Sequence, residues 1–158
     1  MRRRRAGSAR AALVYRITVT GAVVTATRVS ATPAALELIE RLRARHGALL
    51  FHQSGGCCDG SSPMCFPRAE FAIGEVDVLL GEIGEQPFYM SESQFEYWSH
   101  THLIIDVVAG RGGMFSLEGP EGLRFLTRSR LYSDEEWAAL PPVSHGPRPE
   151  PPVPAPSA

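Results

Sequence analysis

Thr32-Pro33-Ala34-Ala35-Leu36-Glu37-Leu38-Ile39-Glu40-Arg41-Leu42-Arg43-Ala44-Arg45-His46-Gly47 runs straight into Ala48-Leu49-Leu50-Phe51-His52. These two stretches decide the fold class. Thr32 is a helix cap, and Pro33 suits the first turn, where a missing N–H costs nothing. Leu36, Ile39, Leu42 and Arg43 recur at helical spacing, with Glu37, Glu40, Arg41 and Arg45 on the other face. Gly47 is a natural helix stop. Ala48–His52 then reads as a short buried strand, and Gly55–Pro67 as a loop rich in Gly, Ser and Pro.

Downstream, strands are expected near Glu70–Ile73, Asp77–Ile83, Pro87–Met90, Leu103–Val108, Met114–Leu117 and Leu123–Arg130. Ser91 caps a short helix, Glu92–Trp98. Glu118–Gly122 reads as a hairpin connection. Ser133 with Glu136 forms a capping box for a last helical turn that includes Trp137. One helix followed by six or seven short strands predicts an α+β domain with a largely β core.

The domain is expected over residues 25–140. Residues 1–24 open on Arg2-Arg3-Arg4-Arg5 and read as a disordered basic arm. Residues 141–158 hold eight of the thirteen prolines, which reads as a solvated, disordered tail. Residues 1–30 carry seven Arg and no acid, whereas 31–140 carry eight Arg against sixteen acids. An acidic domain argues against nucleic-acid binding. No apolar run approaches the roughly 18 residues of a membrane span. The chain has no Lys, which rules out Schiff-base chemistry on lysine. The phosphate-loop, dinucleotide, HExxH and GxSxG motifs are missing too.

The chemistry-bearing segment is Ser54-Gly55-Gly56-Cys57-Cys58-Asp59-Gly60-Ser61-Ser62-Pro63-Met64-Cys65. It contains all three cysteines. Gly55 and Gly56 allow close backbone approach to a bound group. Thiolates are soft ligands for zinc, copper(I) and iron. One ion could take Cys57 or Cys58, then Cys65, then histidine. A three-ligand set with an open position is the catalytic pattern, and a closed four-ligand set the structural one. A disulfide between Cys58 and Cys65 and a redox-active thiol pair are the alternatives.

The second feature is Trp98-Ser99-His100-Thr101-His102. His100 and His102 project to one face if extended, as adjacent ligands would. His52 ends the strand that feeds the cysteine loop. His46 and His145 read as solvated. Asp106 interrupts the apolar run Leu103–Val108 and needs a partner such as Arg111, Arg124 or a histidine. Asp59 can accept backbone N–H bonds in its turn, and Met64 reads as a loop hydrophobe.

Gly55–Cys65, with Trp98–His102 and Gly113-Met114-Phe115-Ser116-Leu117-Glu118, resembles the bacterial domain-of-unknown-function family numbered seven hundred and seventy-nine. The resemblance spans about Val29 to Leu140. It implies a small cytoplasmic protein that acts as accessory or partner to an aldehyde dehydrogenase. A second resemblance, to the HesB-like A-type iron–sulfur carriers, rests on the order helix, strand, Gly-Gly-Cys loop, strands and Phe-containing hairpin. Those carriers hold a cluster through this first Cys and a C-terminal Cys-Gly-Cys. Here the corresponding end reads Leu126-Thr127-Arg128-Ser129-Arg130 and has no Cys.

The expected function is therefore a metal- or cluster-binding accessory protein, with Zn, Fe or an iron–sulfur cluster held by Cys57, Cys58, Cys65, His100 and His102, and Gly55 and Gly56 shaping the site. The alternatives are a thiol-redox protein using Cys57 or Cys58 with Cys65, and a metal-independent binding module.

Overall fold

The computed structural model describes residues 16–19, 22–53, 55, 56 and 59–148. The chain is α+β and mostly strand. In order come β1 (Arg16–Val19), β2 (Ala22–Thr25), β3 (Val29–Ala31), α1 (Pro33–His46), β4 (Leu49–Gln53), β5 (Met64–Pro67), β6 (Val78–Ile83), β7 (Gln86–Met90), α2 (Glu92–Trp98), β8 (Thr101–Ala109), β9 (Leu123–Leu131), α3 (Asp134–Ala139) and β10 (Ser144–His145).

Helix α1 forms where its caps place it. The Thr32 side chain accepts from the Ala35 N–H, Pro33 fills the first position, and the Gly47 N–H returns to the Arg43 carbonyl. Its buried face is Ala35, Leu38, Ile39 and Leu42. Leu36 stays largely exposed, so the apolar stripe runs through Leu38 instead. Ser133 and Glu136 make the full reciprocal capping box of α3.

Strands β10-β6-β7-β4-β5 form one sheet and β3-β8-β9 another, with β1 and β2 a separate two-stranded antiparallel sheet. Within the larger sheet, β4 runs parallel to β7 and antiparallel to β5. All five residues of β4 are buried, because it is paired on both edges and covered on both faces. Phe51 of β4 stacks on Phe88 of β7 and meets Phe125 of β9 edge-on, with centroids 5.1 Å apart. That second contact joins the two sheets through the core.

Several elements differ from the sequence reading. Met64–Pro67 is an edge strand, not loop. Its flanking prolines conceal it, yet an edge strand tolerates Pro because its outer side needs no N–H. Glu70–Ile73 is a single 3-10 turn at Arg68–Glu70 followed by irregular chain. Met114–Leu117 is a turn, and Glu118–Gly122 contains the 3-10 turn Gly119–Glu121.

The boundaries shift at both ends. Arg16–Val19 and Ala22–Thr25 pair as β1 and β2, so part of the segment read as an arm is folded. Residues 141–148 continue the fold. β10 pairs with β6, and the Arg148 N–H donates to the Tyr89 hydroxyl at 2.9 Å. The prolines sit beside the two bonded residues of β10, where they break no ladder bond. The remaining arm and tail residues, 1–15 and 149–158, lie outside the described residues. No helix among the described residues is long and apolar enough to cross a membrane.

Candidate functional site

The loop after β4 is seated on β9. The Gly60 N–H donates to the Thr127 carbonyl at 2.9 Å, and the Thr127 N–H donates to the Ser61 carbonyl at 2.7 Å. The Asp59 carboxylate accepts from the Ser129 hydroxyl. Arg124 Nη1 donates to Ser62 Oγ at 3.0 Å and reaches the Gly60 carbonyl at 3.4 Å. On the other side of the cysteine pair, Trp98 Nε1 donates to the Gly56 carbonyl at 3.2 Å. Both flanks of Cys57-Cys58 are therefore fastened. Cys57 and Cys58 themselves lie outside the described residues.

Gly56 is required by shape. It has φ +95°, and a Cβ there would lie 2.1 Å from Ser61 Oγ. Gly55 has open space around it. Beneath the loop, Gln53 Oε1 accepts from the Thr127 hydroxyl at 2.7 Å, and both residues are buried.

Cys65 stands apart from the loop. It is fully buried on β5, in the hydrophobic core. Its N–H donates to Ser116 Oγ at 2.8 Å, and its carbonyl accepts from Leu117 N–H at 3.0 Å. The Ser116 hydroxyl in turn donates to the Glu118 carboxylate, which is also fully buried. Burial, and then the nearby Glu118 charge, pushes the Cys65 thiol far up, so it stays protonated. Burial also pushes the Glu118 carboxyl up against its hydrogen bonds. Gly112 lets the turn pass this carboxylate, since a Cβ there would come within 2.6 Å of Glu118 Oε1. The turn thus pinned to the core displays Met114 and Phe115, 90% and 75% exposed.

The histidines are engaged elsewhere. His102 is buried, with Nδ1 2.7 Å from the Thr27 carbonyl and Nε2 2.7 Å from Ser30 Oγ. A carbonyl only accepts, so Nδ1 carries the proton and Nε2 takes the Ser30 hydroxyl proton. Neither nitrogen is free for a metal. His100 is exposed, its ring 5.7 Å from that of Trp137. His52 Nε2 lies 3.2 Å from Asp77 Oδ1.

Asp106 pairs with Arg128, not with Arg111, Arg124 or a histidine. Arg128 Nε donates at 2.9 Å, and the Thr32 hydroxyl at 2.9 Å. The Arg128 hydrogen bond, followed by that of the Val107 N–H, holds the Asp106 carboxyl below its usual range. It ties β8 to the cap of α1 and has a structural role.

Among the described residues, no three His, Cys, Asp or Glu side chains stand together as a metal group. The structure ties Gly56 to α2 and Asp59–Ser61 to β9, and leaves Cys65, His100 and His102 in separate surroundings. The sequence reading missed Gln53, Ser116 and Thr127, and offered Arg124 to Asp106 rather than to the loop. Only the i, i+2 spacing of Ser116 and Glu118 hinted at a shared direction.

The model of the family described as Domain of unknown function (DUF779) matches residues 38–131, more than half of the chain. No curated protein and no solved structure matches the chain.

Gly56→Ala is expected to destabilise the protein by about 1–3 kcal/mol, through left-handed strain and the Ser61 clash. Gly55→Ala should fall within about 0.5 kcal/mol of the parent. Chemical denaturation of both variants measures the difference.

Burial also pulls the His102 pKa below the ordinary 6.5. In the unfolded chain this imidazole takes up a proton near that ordinary value, while the folded chain still refuses it. The stability it contributes is therefore full above the unfolded pKa and is lost as pH falls toward the folded one. The urea midpoint should drop between about pH 7 and pH 5, with a shallower drop in His102→Phe. Equal slopes would show that His102 is not the group responsible.

Proposed function

We propose for this chain, which belongs to the DUF779 family, a role as an accessory protein that presents the paired thiols of Cys57 and Cys58 to a partner enzyme. The observation that carries this reading is the double fastening of the loop, to Trp98 before the pair and to β9 after it. The residues on either side, Gly56 and Asp59–Ser61, thus have little conformational freedom left to lose on docking. The exposed Met114 and Phe115 sit on a turn held to the same strand by the Phe125 N–H, which donates to Glu118 at 3.4 Å.

The partner class that the family resemblance implies is an aldehyde dehydrogenase, an enzyme working through a catalytic thiol. An oxidised partner thiol, as its sulfenic acid, would be attacked by the thiolate of Cys57, with hydroxide leaving and protonated to water. Cys58 would then attack the Cys57 sulfur of the mixed disulfide and release the partner's thiolate. The resulting Cys57–Cys58 disulfide would be reduced by a small-molecule thiol. With Cys65 neutral in the core, the resolving role falls to Cys58.

The test is thiol-resolved mass spectrometry of protein purified anaerobically without chelator, before and after one equivalent of hydrogen peroxide. We expect Cys57 and Cys58 to be lost to alkylation together and restored by a small thiol. Cys65 should be alkylated only after denaturation. Independent oxidation of the two residues, or a native Cys65 that alkylates as fast as they do, would overturn the reading. Stoichiometric zinc or iron lost on Cys57→Ser would assign the pair to metal binding instead.

A further inference from the structure

A cavity of about 240 Å³ opens between the segment Ala26–Val29, strand β6 and the chain around β10. One trapped water needs only roughly 10–15 Å³, so this is room for a molecule rather than a packing void. The walls are largely apolar, with Val29, Leu80, Pro141 and Pro142 among them. Three charged side chains line it: Arg28, Glu82 and Arg148. Glu82 and Arg148 form an ion pair and neutralise each other.

Arg28 is left over. It forms no ion pair with a described carboxylate. One amino group donates to the Pro141 carbonyl at 2.9 Å, and the guanidinium carbon lies 5.6 Å from the centroid of the Phe95 ring. Its Nε is buried with no acceptor. Burial pulls its pKa down, as expected of a cation that has lost water without gaining an anion. The side chain is half-buried, and the buried Nε donor without an acceptor is costly. The cavity as a whole carries one net positive charge inside apolar walls.

We propose that this cavity binds a small monocarboxylate with an apolar body, its carboxylate paired with Arg28. A single unpaired guanidinium suits one carboxylate, which it can engage by charge-assisted hydrogen bonds. The apolar walls suit a short hydrocarbon body and offer little to a polyanion. None of the cavity's lining residues belongs to the cysteine loop, so this site is independent of the thiol chemistry proposed above.

The test is a titration of the full ¹⁵N-labelled chain with sodium butyrate, followed by amide correlation spectra. Butyramide serves as the uncharged isostere, and sodium chloride as the ionic-strength control. We expect saturable shifts at Val29, Gly81 and Ser144 with butyrate, and binding about tenfold weaker or worse with butyramide. Arg28→Gln should lose the butyrate response to at least the same extent. The idea is overturned if butyramide binds as well as butyrate, if chloride reproduces the shifts, or if no shift saturates. It is also overturned if folded Arg28→Gln responds like the parent. Should Arg28→Gln fail to fold, the butyrate–butyramide comparison on the parent chain decides alone.

Discussion

Thr127 is the residue on which the candidate site depends. It is fully buried in the middle of β9, opposite Ile105. Its N–H and its carbonyl both face the cysteine loop, and its hydroxyl binds Gln53 at the end of β4. One residue thus holds where the loop leaves the larger sheet and where it settles on the smaller one. Each bond is worth only about 1 kcal/mol net, but leaving these groups buried and unpaired would cost more. The edge-on contact of Phe51 with Phe125 sets β4 against β9 and makes this arrangement available.

The same strand governs the neighbouring turn. Glu118 reaches the Phe125 N–H, Ser116 bridges Glu118 to Cys65, and Arg124 holds the loop at Ser62 and Gly60. Buried polar groups with all their partners in place confer rigidity. Here they fix Gly60–Ser62 and the turn that displays Met114 and Phe115. Cys65 belongs to that internal network, not to the reactive surface. Its proximity in sequence to Cys57 and Cys58 reflects the short run from loop into β5.

Local signals in the sequence were decisive wherever local chemistry decides structure. Thr32-Pro33 and Gly47 bounded α1, and Ser133 with Glu136 marked α3, because caps act within four residues. Of the loop glycines, Gly56 marks a tight, close-packed turn. Long-range pairing left no comparable trace. β3 pairs in parallel with β8 across about seventy residues, and three residues of ordinary composition cannot advertise that. β5 and β10 hid among prolines that edge positions tolerate. Met114–Leu117 looked like a strand because apolar residues at a displayed tip resemble apolar residues in a sheet. The partners of His102 and Asp106 were invisible for the same reason: Ser30, Thr27 and Arg128 meet them only after folding.

The central claim is that the segment after the cysteine pair, Gly60–Ser61, is part of the β9 ladder, fixed there before any partner arrives. Amide hydrogen exchange of the isolated protein at Gly60 and Thr127 tests it directly. The account predicts that both exchange as slowly as amides of the central strand β8, such as Ile105, whose N–H faces β3. Exchange of Gly60 and Thr127 at unprotected rates, with Ile105 still protected, would contradict it.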